Sequence, residues 1–280
     1  MVARKKIGYL GPEGTYTHEM AMQIFPTEEL ISYLSMERVL EAADEGEVDE
    51  AVVPIENSTE GAVLVSMDVL AHEVELEIIE EHCLPIEHSL WVLPSESGEV
   101  TQILSHPQAL GQCRKFLKVN YPEAQIVSVA SSAGAAEEVA KGLPGVAAIA
   151  SSAAGERNGL KLLHRGIQNN PNNCTRFVRA RKEPLVLPRK GMLKSSFVCK
   201  INGEKAGSLQ ELLREFSSRG INLTRIESRP TGQKMGEYYF FIDIVDSADS
   251  DQWQEALGKI AGQSLWYKKL GTYPEWKGEI

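Results

Sequence analysis

The strongest constraint on this chain is a pattern repeated along its first 155 residues: a short apolar run, a small polar turn, then a helix start. Lys6-Ile7-Gly8-Tyr9-Leu10 runs into Gly11-Pro12-Glu13-Gly14-Thr15-Tyr16-Thr17 and a helix over 18–25. Residues 51–55 lead into Glu56-Asn57-Ser58-Thr59-Glu60-Gly61 and a helix over 62–71. Residues 100–104 lead into Ser105-His106-Pro107, where proline suits a first helical turn. Residues 126–129 precede Ser131-Ser132, and 146–150 precede Ser151-Ser152. Such alternation predicts α/β layers around mainly parallel sheets, with ligands at the carboxyl ends of the strands. The glycines and the amides of helix starts let backbone approach an anion.

Further elements organise this pattern into two lobes. An amphipathic helix spans 36–45, and strands are expected over 76–81 and 88–93, punctuated by Pro85 and Pro94. The chain leaves its first lobe near Cys83 and must return near residue 170. The return path is the polar connector 166–171 followed by Asn172-Asn173-Cys174-Thr175-Arg176-Phe177. That places Thr175 in the cleft between lobes, where small-ligand sites concentrate. Strand alternation puts Thr175 and Arg176 on opposite faces.

Beyond a linker over 183–193, containing Pro184 and Pro188, the pattern changes. A strand over 195–201, a helix over 208–218, strands over 221–228 and 237–245, a helix over 250–261 and a strand within 264–270 give the order βαββαβ, a ferredoxin-like unit.

A chain of 280 residues exceeds one typical core, in keeping with several lobes. Its net charge of −10 argues against nucleic acid and anionic membrane as partners. Residues 1–100 hold 4 basic and 22 acidic side chains, whereas 101–190 hold 13 and 5, so these two thirds are expected to face each other. The basic third is also expected to draw an anion into the cleft. No run of about 18 apolar residues is present to span a membrane, and the basic start at 1–6 lacks the apolar segment of an export signal. Cys83, Cys113, Cys174 and Cys199 are scattered, which fits free thiols in a reducing cytoplasm.

The motifs also narrow the chemistry. The first Gly-rich turn is neither G-x-G-x-x-G nor a phosphate-binding loop with its lysine. No G-x-S-x-G elbow and no H-x-x-x-H pair occur, so neither an α/β-hydrolase nucleophile nor a metal centre is expected. What remains is a cleft of Thr, Ser, Asn, Gln, Glu and backbone amides. Such a site binds a small polar anion and stabilises charge moving within it. It suits passive binding, or an elimination driven by aromatisation that needs only orientation and a proton donor.

Five ordered motifs resemble the monofunctional prephenate dehydratase family with a C-terminal ACT domain. They are Gly11-Pro12-Glu13-Gly14-Thr15, Val53-Pro54-Ile55-Glu56-Asn57-Ser58, Ser105-His106-Pro107-Gln108-Ala109-Leu110 with Gln112-Cys113, Thr175-Arg176-Phe177, and Glu227-Ser228-Arg229-Pro230. The resemblance implies a bilobal catalytic domain similar to periplasmic solute-binding proteins over 1–182, the linker, and an ACT domain over 194–280. It implies cofactor-free conversion of prephenate to phenylpyruvate, with arogenate as a competing substrate and an inactive phenylalanine sensor as the other reading. Thr175, Glu56, Asn57, Ser105 and Gln112 would be catalytic. Gly11, Thr15, Ser58, Arg176 and Phe177 would line the substrate site, although Arg176 could instead hold the loop. L-Phenylalanine would bind between paired ACT domains of a homodimer or homotetramer. Its ligands would be Ala206, Gly207, Ser208 and Leu209, with Asn222, Leu223, Thr224 and Glu227 from the facing strand.

Overall fold

A computed structural model describes residues 4–278 apart from 97, 143, 189 and 249. Residues 1–3 of the basic start and Arg189 of the expected linker lie outside the described residues.

The first lobe holds β1 (Lys6–Leu10), α1 (Tyr16–Ile24), β2 (Glu29–Tyr33), α2 (Met36–Glu45), β3 (Glu50–Asn57), β4 (Gly61–Ala62), α3 (Leu64–His72) and β5 (Glu77–Pro85). The second holds β6 (Ser89–Val92), β7 (Gln102–Ser105), α4 (Pro107–Gln112), α5 (Arg114–Asn120), β8 (Gln125–Ser128), α6 (Ser132–Ala140), β9 (Val146–Ala150), α7 (Ser152–Arg157) and β10 (Lys161–His164). The chain then returns as β11 (Cys174–Arg181). The C-terminal unit follows with β12 (Met192–Lys200), α8 (Ser208–Ser217), β13 (Asn222–Pro230), β14 (Tyr238–Ser247), α9 (Gln252–Gln263) and β15 (Trp266–Pro274).

In the first sheet, ordered β2-β1-β3-β11-β5, β1 lies parallel to β2 and β3. β11 inserts antiparallel between β3 and β5, because it enters from the other lobe. The second sheet runs β10-β6-β9-β7-β8, with β7 parallel to β8 and β9. The C-terminal sheet, β13-β14-β12-β15, is antiparallel throughout. β2 and β10 are short edge strands that the apolar pattern does not announce; every residue of both is at least partly exposed. The two segments that cross between lobes run side by side. Ile86 N donates to Asn173 O at 2.8 Å, and Ile167 N donates to His88 O at 2.8 Å.

The C-terminal sheet is covered on both faces along β12 and β14. α8 and α9 cover one, around Phe197, Phe216, Ile242 and Trp253. The other merges with the first lobe, where Val198, Phe241, Leu270 and Tyr273 share a core with Leu70, Ile78 and Val178. Burial of each such side chain is worth about 1.5–3 kcal/mol, so this docking is a substantial part of the fold. Leu185 packs on the shared core and Leu187 on the C-terminal core, so the connector lies against both domains.

The charge asymmetry appears as pairing between the thirds. Arg179 Nη2 lies 2.7 Å from Glu50 Oε2, and the same guanidinium contacts Glu80. Arg157 pairs with Glu13 across the lobes.

Candidate active site

A cleft of about 800 Å³ separates the lobes. Its floor comes from the middle of the first sheet, where Thr175 on β11 stands opposite Asn57 on β3. Asn57 Nδ2 donates to Thr175 Oγ1 at 2.9 Å and to Cys174 O at 3.2 Å. Its Oδ1 accepts from Thr59 N at 2.9 Å and Glu60 N at 3.0 Å, which fixes the amide's orientation. Thr175 Oγ1 is thereby used as an acceptor, and its proton is available to a ligand.

A second network crosses from lobe to lobe behind this pair. Gln112 Oε1 accepts from Asn173 Nδ2 at 3.0 Å and lies 2.9 Å from His88 Nε2, while Gln112 Nε2 donates to Glu60 Oε1 at 3.0 Å. An oxygen acceptor requires the proton on His88 Nε2, which leaves Nδ1 to accept. Tyr16 OH lies 2.9 Å from that nitrogen and 2.8 Å from Glu87 O. Burial pushes the His88 imidazole below its ordinary range, against the opposing effect of its hydrogen bond to Gln112 Oε1. Burial, then Glu19, Cys113 and Glu87, push the Tyr16 phenol well up. Both groups are therefore neutral near pH 7.

Among the described residues the cleft lining contains no Asp, Glu, Lys or Arg side chain. The electropositive groups on its walls are helix N-termini. Thr15 caps α1, Ser131 caps α6 and His106 caps α4, and all three caps line the cleft. The basic third places no Lys or Arg side chain in the cleft lining; Arg157, Arg176 and Arg179 are instead paired with carboxylates. The lobes touch where Ser151 Oγ donates to Gly14 O at 3.0 Å. Gly14 has φ +87, and a Cβ there would sit 3.3 Å from Ala154 Cα, so the turn needs glycine for both conformation and closeness.

Of the residues expected from sequence, Gly11, Thr15, Asn57, Gln112, Thr175 and Phe177 are brought together in the cleft. Four are not among its lining residues. Ser105 is fully buried at the end of β7, its hydroxyl donating to Ile149 O at 2.6 Å, so it braces the second sheet. Arg176 takes the face of β11 opposite Thr175 and Phe177, where it pairs with Glu56, Glu81 and Asp243. Glu56 is turned the same way, away from its neighbour Asn57. Ser58 Oγ accepts from Cys174 N at 2.9 Å and holds the return loop. Sequence reasoning missed Tyr16, His88 and Ser131 as lining residues. Tyr16 and Ser131 stand in polar turns already singled out; nothing local marks His88.

In the C-terminal domain Ala206, Gly207, Ser208 and Leu209 line a pocket of about 330 Å³ with Tyr238 and Phe240. Asn222, Leu223, Thr224 and Glu227 are not among its lining residues. They lie on β13, an edge strand, on the side of the sheet order away from β15.

A two-lobed α/β domain with a cleft between its lobes is here fused to a ferredoxin-like domain packed on the first lobe, the architecture expected of a prephenate dehydratase with an ACT domain. Family models described as "Prephenate dehydratase" and "ACT domain" match residues 7–184 and 202–262. The chain belongs to the prephenate dehydratase family. It is 38% identical to a prephenate dehydratase of Lactococcus lactis, covering 96% of this chain and 97% of that one. The structure of a prephenate dehydratase from Arthrobacter aurescens in complex with L-Phe superposes with TM-score 0.88 at 34% identity, covering 96% and 90% of the two chains. A structure described as GqqA, a quorum-quenching acylase, superposes with TM-score 0.85 at 27% identity, covering 97% and 98%.

Proposed function

We propose that the cleft catalyses decarboxylating dehydration of prephenate to phenylpyruvate. The observation that carries this reading is the Asn57–Thr175 pair, an oriented hydroxyl on the floor of a cleft without charged lining. The ring carboxylate leaves as carbon dioxide. Its bonding pair re-forms the aromatic ring and expels hydroxide from the opposite carbon, and one proton turns that hydroxide into water. Thr175 Oγ–H donates to the departing oxygen, while the amides at the starts of α1 and α6 hold the carboxylates. The substrate supplies the driving force through aromatisation, so the protein's task is orientation and proton donation.

A cleft lining without a carboxylate favours the keto acid over arogenate, whose ammonium group would lack a counter-charge there. An acylase reading is less well supported: among the described residues no cleft serine or threonine hydroxyl bonds an imidazole, the usual means of activating such a nucleophile.

The pocket at 206–209 and the exposed edge strand β13 support L-phenylalanine as effector, bound where C-terminal domains of a homodimer or homotetramer meet. Free cysteines support a cytoplasmic location, and no helix of the described residues is long and apolar enough to cross a membrane. Purified protein is assayed in parallel for phenylpyruvate formed from prephenate and for L-phenylalanine formed from arogenate, and the prephenate assay is repeated with added L-phenylalanine. Turnover of prephenate, lowered by L-phenylalanine, is expected. Phenylalanine binding without turnover of either substrate would overturn the enzymatic reading in favour of a sensor.

A further inference from the structure

Arg176 follows Thr175 in the chain and points to the back of the sheet, where carboxylates of two domains hold it. Nη2 lies 2.7 Å from Asp243 Oδ2 on β14, Nη1 3.1 Å from Glu81 Oε2 on β5, and Nε 3.3 Å from Glu56 Oε2 on β3. Arg176 is 9% exposed and Asp243 3% exposed. Glu56 precedes Asn57 just as Arg176 follows Thr175, so both members of the catalytic pair are backed by this one cluster. From the C-terminal side, Arg225 Nε lies 3.7 Å from Glu56 Oε2, and Thr224 Oγ1 donates to Asp243 O at 3.3 Å.

We propose that Asp243, a residue of the C-terminal domain, is a positioning residue for the reaction: through Arg176 it sets the position of the Thr175 hydroxyl. The C-terminal domain is then part of what holds the catalytic strand, and a shift of β14 reaches the active site by this contact. A buried guanidinium stripped of one carboxylate seeks another partner. The strand carrying Arg176 moves with it, and so does Thr175. Misplacement of a reacting group by 1 Å costs on the order of 100-fold in rate.

The test uses the full chain. Asp243→Asn is expected to lower kcat about 10- to 100-fold with KM changed less than about three-fold, and to alter the L-phenylalanine response. Asp68→Asn is the control. It breaks another contact between the same domains, Asp68 Oδ2 to Arg229 Nη2 at 2.6 Å, neither of which touches Arg176, and is expected to leave kcat within about two-fold. In an Arg176→Gln background, Asp243→Asn is expected to add no further loss, the signature of action through one shared partner. A wild-type kcat in Asp243→Asn overturns the proposal, as do losses that simply multiply in the double variant. Should Asp243→Asn not fold, Asp243→Glu, which keeps the charge but moves the carboxylate, is read in the same way. The inference rests on Thr175 carrying the reaction. Full activity in Thr175→Ala defeats that reading, whereas an inactive Thr175→Ala beside a normal Asp243→Asn defeats only the role of Asp243.

Discussion

Asn57 and Thr175 are direct cross-strand neighbours, 118 residues apart in sequence, and the amide of one holds the hydroxyl of the other at 2.9 Å. The pairing register of β3 and β11 thus builds the central contact of the site. Thr175→Ala removes the donor and is expected to lower kcat about 100- to 10,000-fold, the range for a positioned proton donor, with the fold intact by circular dichroism. Thr175→Ser keeps the hydroxyl and should retain much of the activity.

Asn57→Ala leaves the hydroxyl in place but unoriented, and frees Thr59 N and Glu60 N from their acceptor. The expected loss in kcat is about 100-fold, the scale of removing one preorganised donor. Steady-state kinetics on the pair Asn57→Ala and Thr175→Ala should show strong non-additivity, because the two act as a unit.

The acid limb of the pH–rate profile should report His88. Burial holds its folded value below the ordinary 6.5, so the neutral form, with Nε2–H on Gln112, is favoured by folding. Its contribution is fully present above about pH 6.5 and is lost as pH falls through the lower folded value. His88→Gln should remove that limb from kcat against pH. An unchanged acid limb in the variant would assign it to another group.

Glu50 is 1% exposed and binds Lys5 at 2.8 Å and Arg179 at 2.7 Å. Glu50→Ala removes one of the two carboxylates on a part-buried guanidinium and is expected to destabilise the fold by about 1–3 kcal/mol, read as a lower midpoint in urea. Arg179 also touches Phe25 and Glu80 but not the cleft lining, so kcat below the unfolding transition should be near wild type.

Gly155 sits against the indole of Trp91, where an added Cβ would meet ring carbon at 2.2 Å. Trp91 is 2% exposed and cannot swing away. Gly155→Ala should therefore destabilise by about 1–3 kcal/mol, measured by the same denaturation experiment.

The strands that could be read from sequence were those with apolar runs and turn residues at both ends, such as 146–150, which is β9. β2 and β10 escaped because edge strands bury little and need no strong apolar pattern. The same limit explains the site. Thr175 and Asn57 stand out because polar groups concentrate at strand ends, and Gln112 because it belongs to the motif that follows one. Glu56 and Ser105 stand beside them and look equivalent, yet one turns to Arg176 and the other to Ile149 O.

By itself the sequence determined most of the order of elements, the two lobes with their C-terminal companion, and the polar strand ends, since these follow from local periodicity and turn chemistry. Only the tertiary structure decided which side chains share the cleft. It turned Glu56 and Arg176 to the back of the sheet and brought in Tyr16 and His88 from either side of the crossover. Those outcomes depend on strand register and on contacts between segments 72 residues or more apart, which no local pattern encodes.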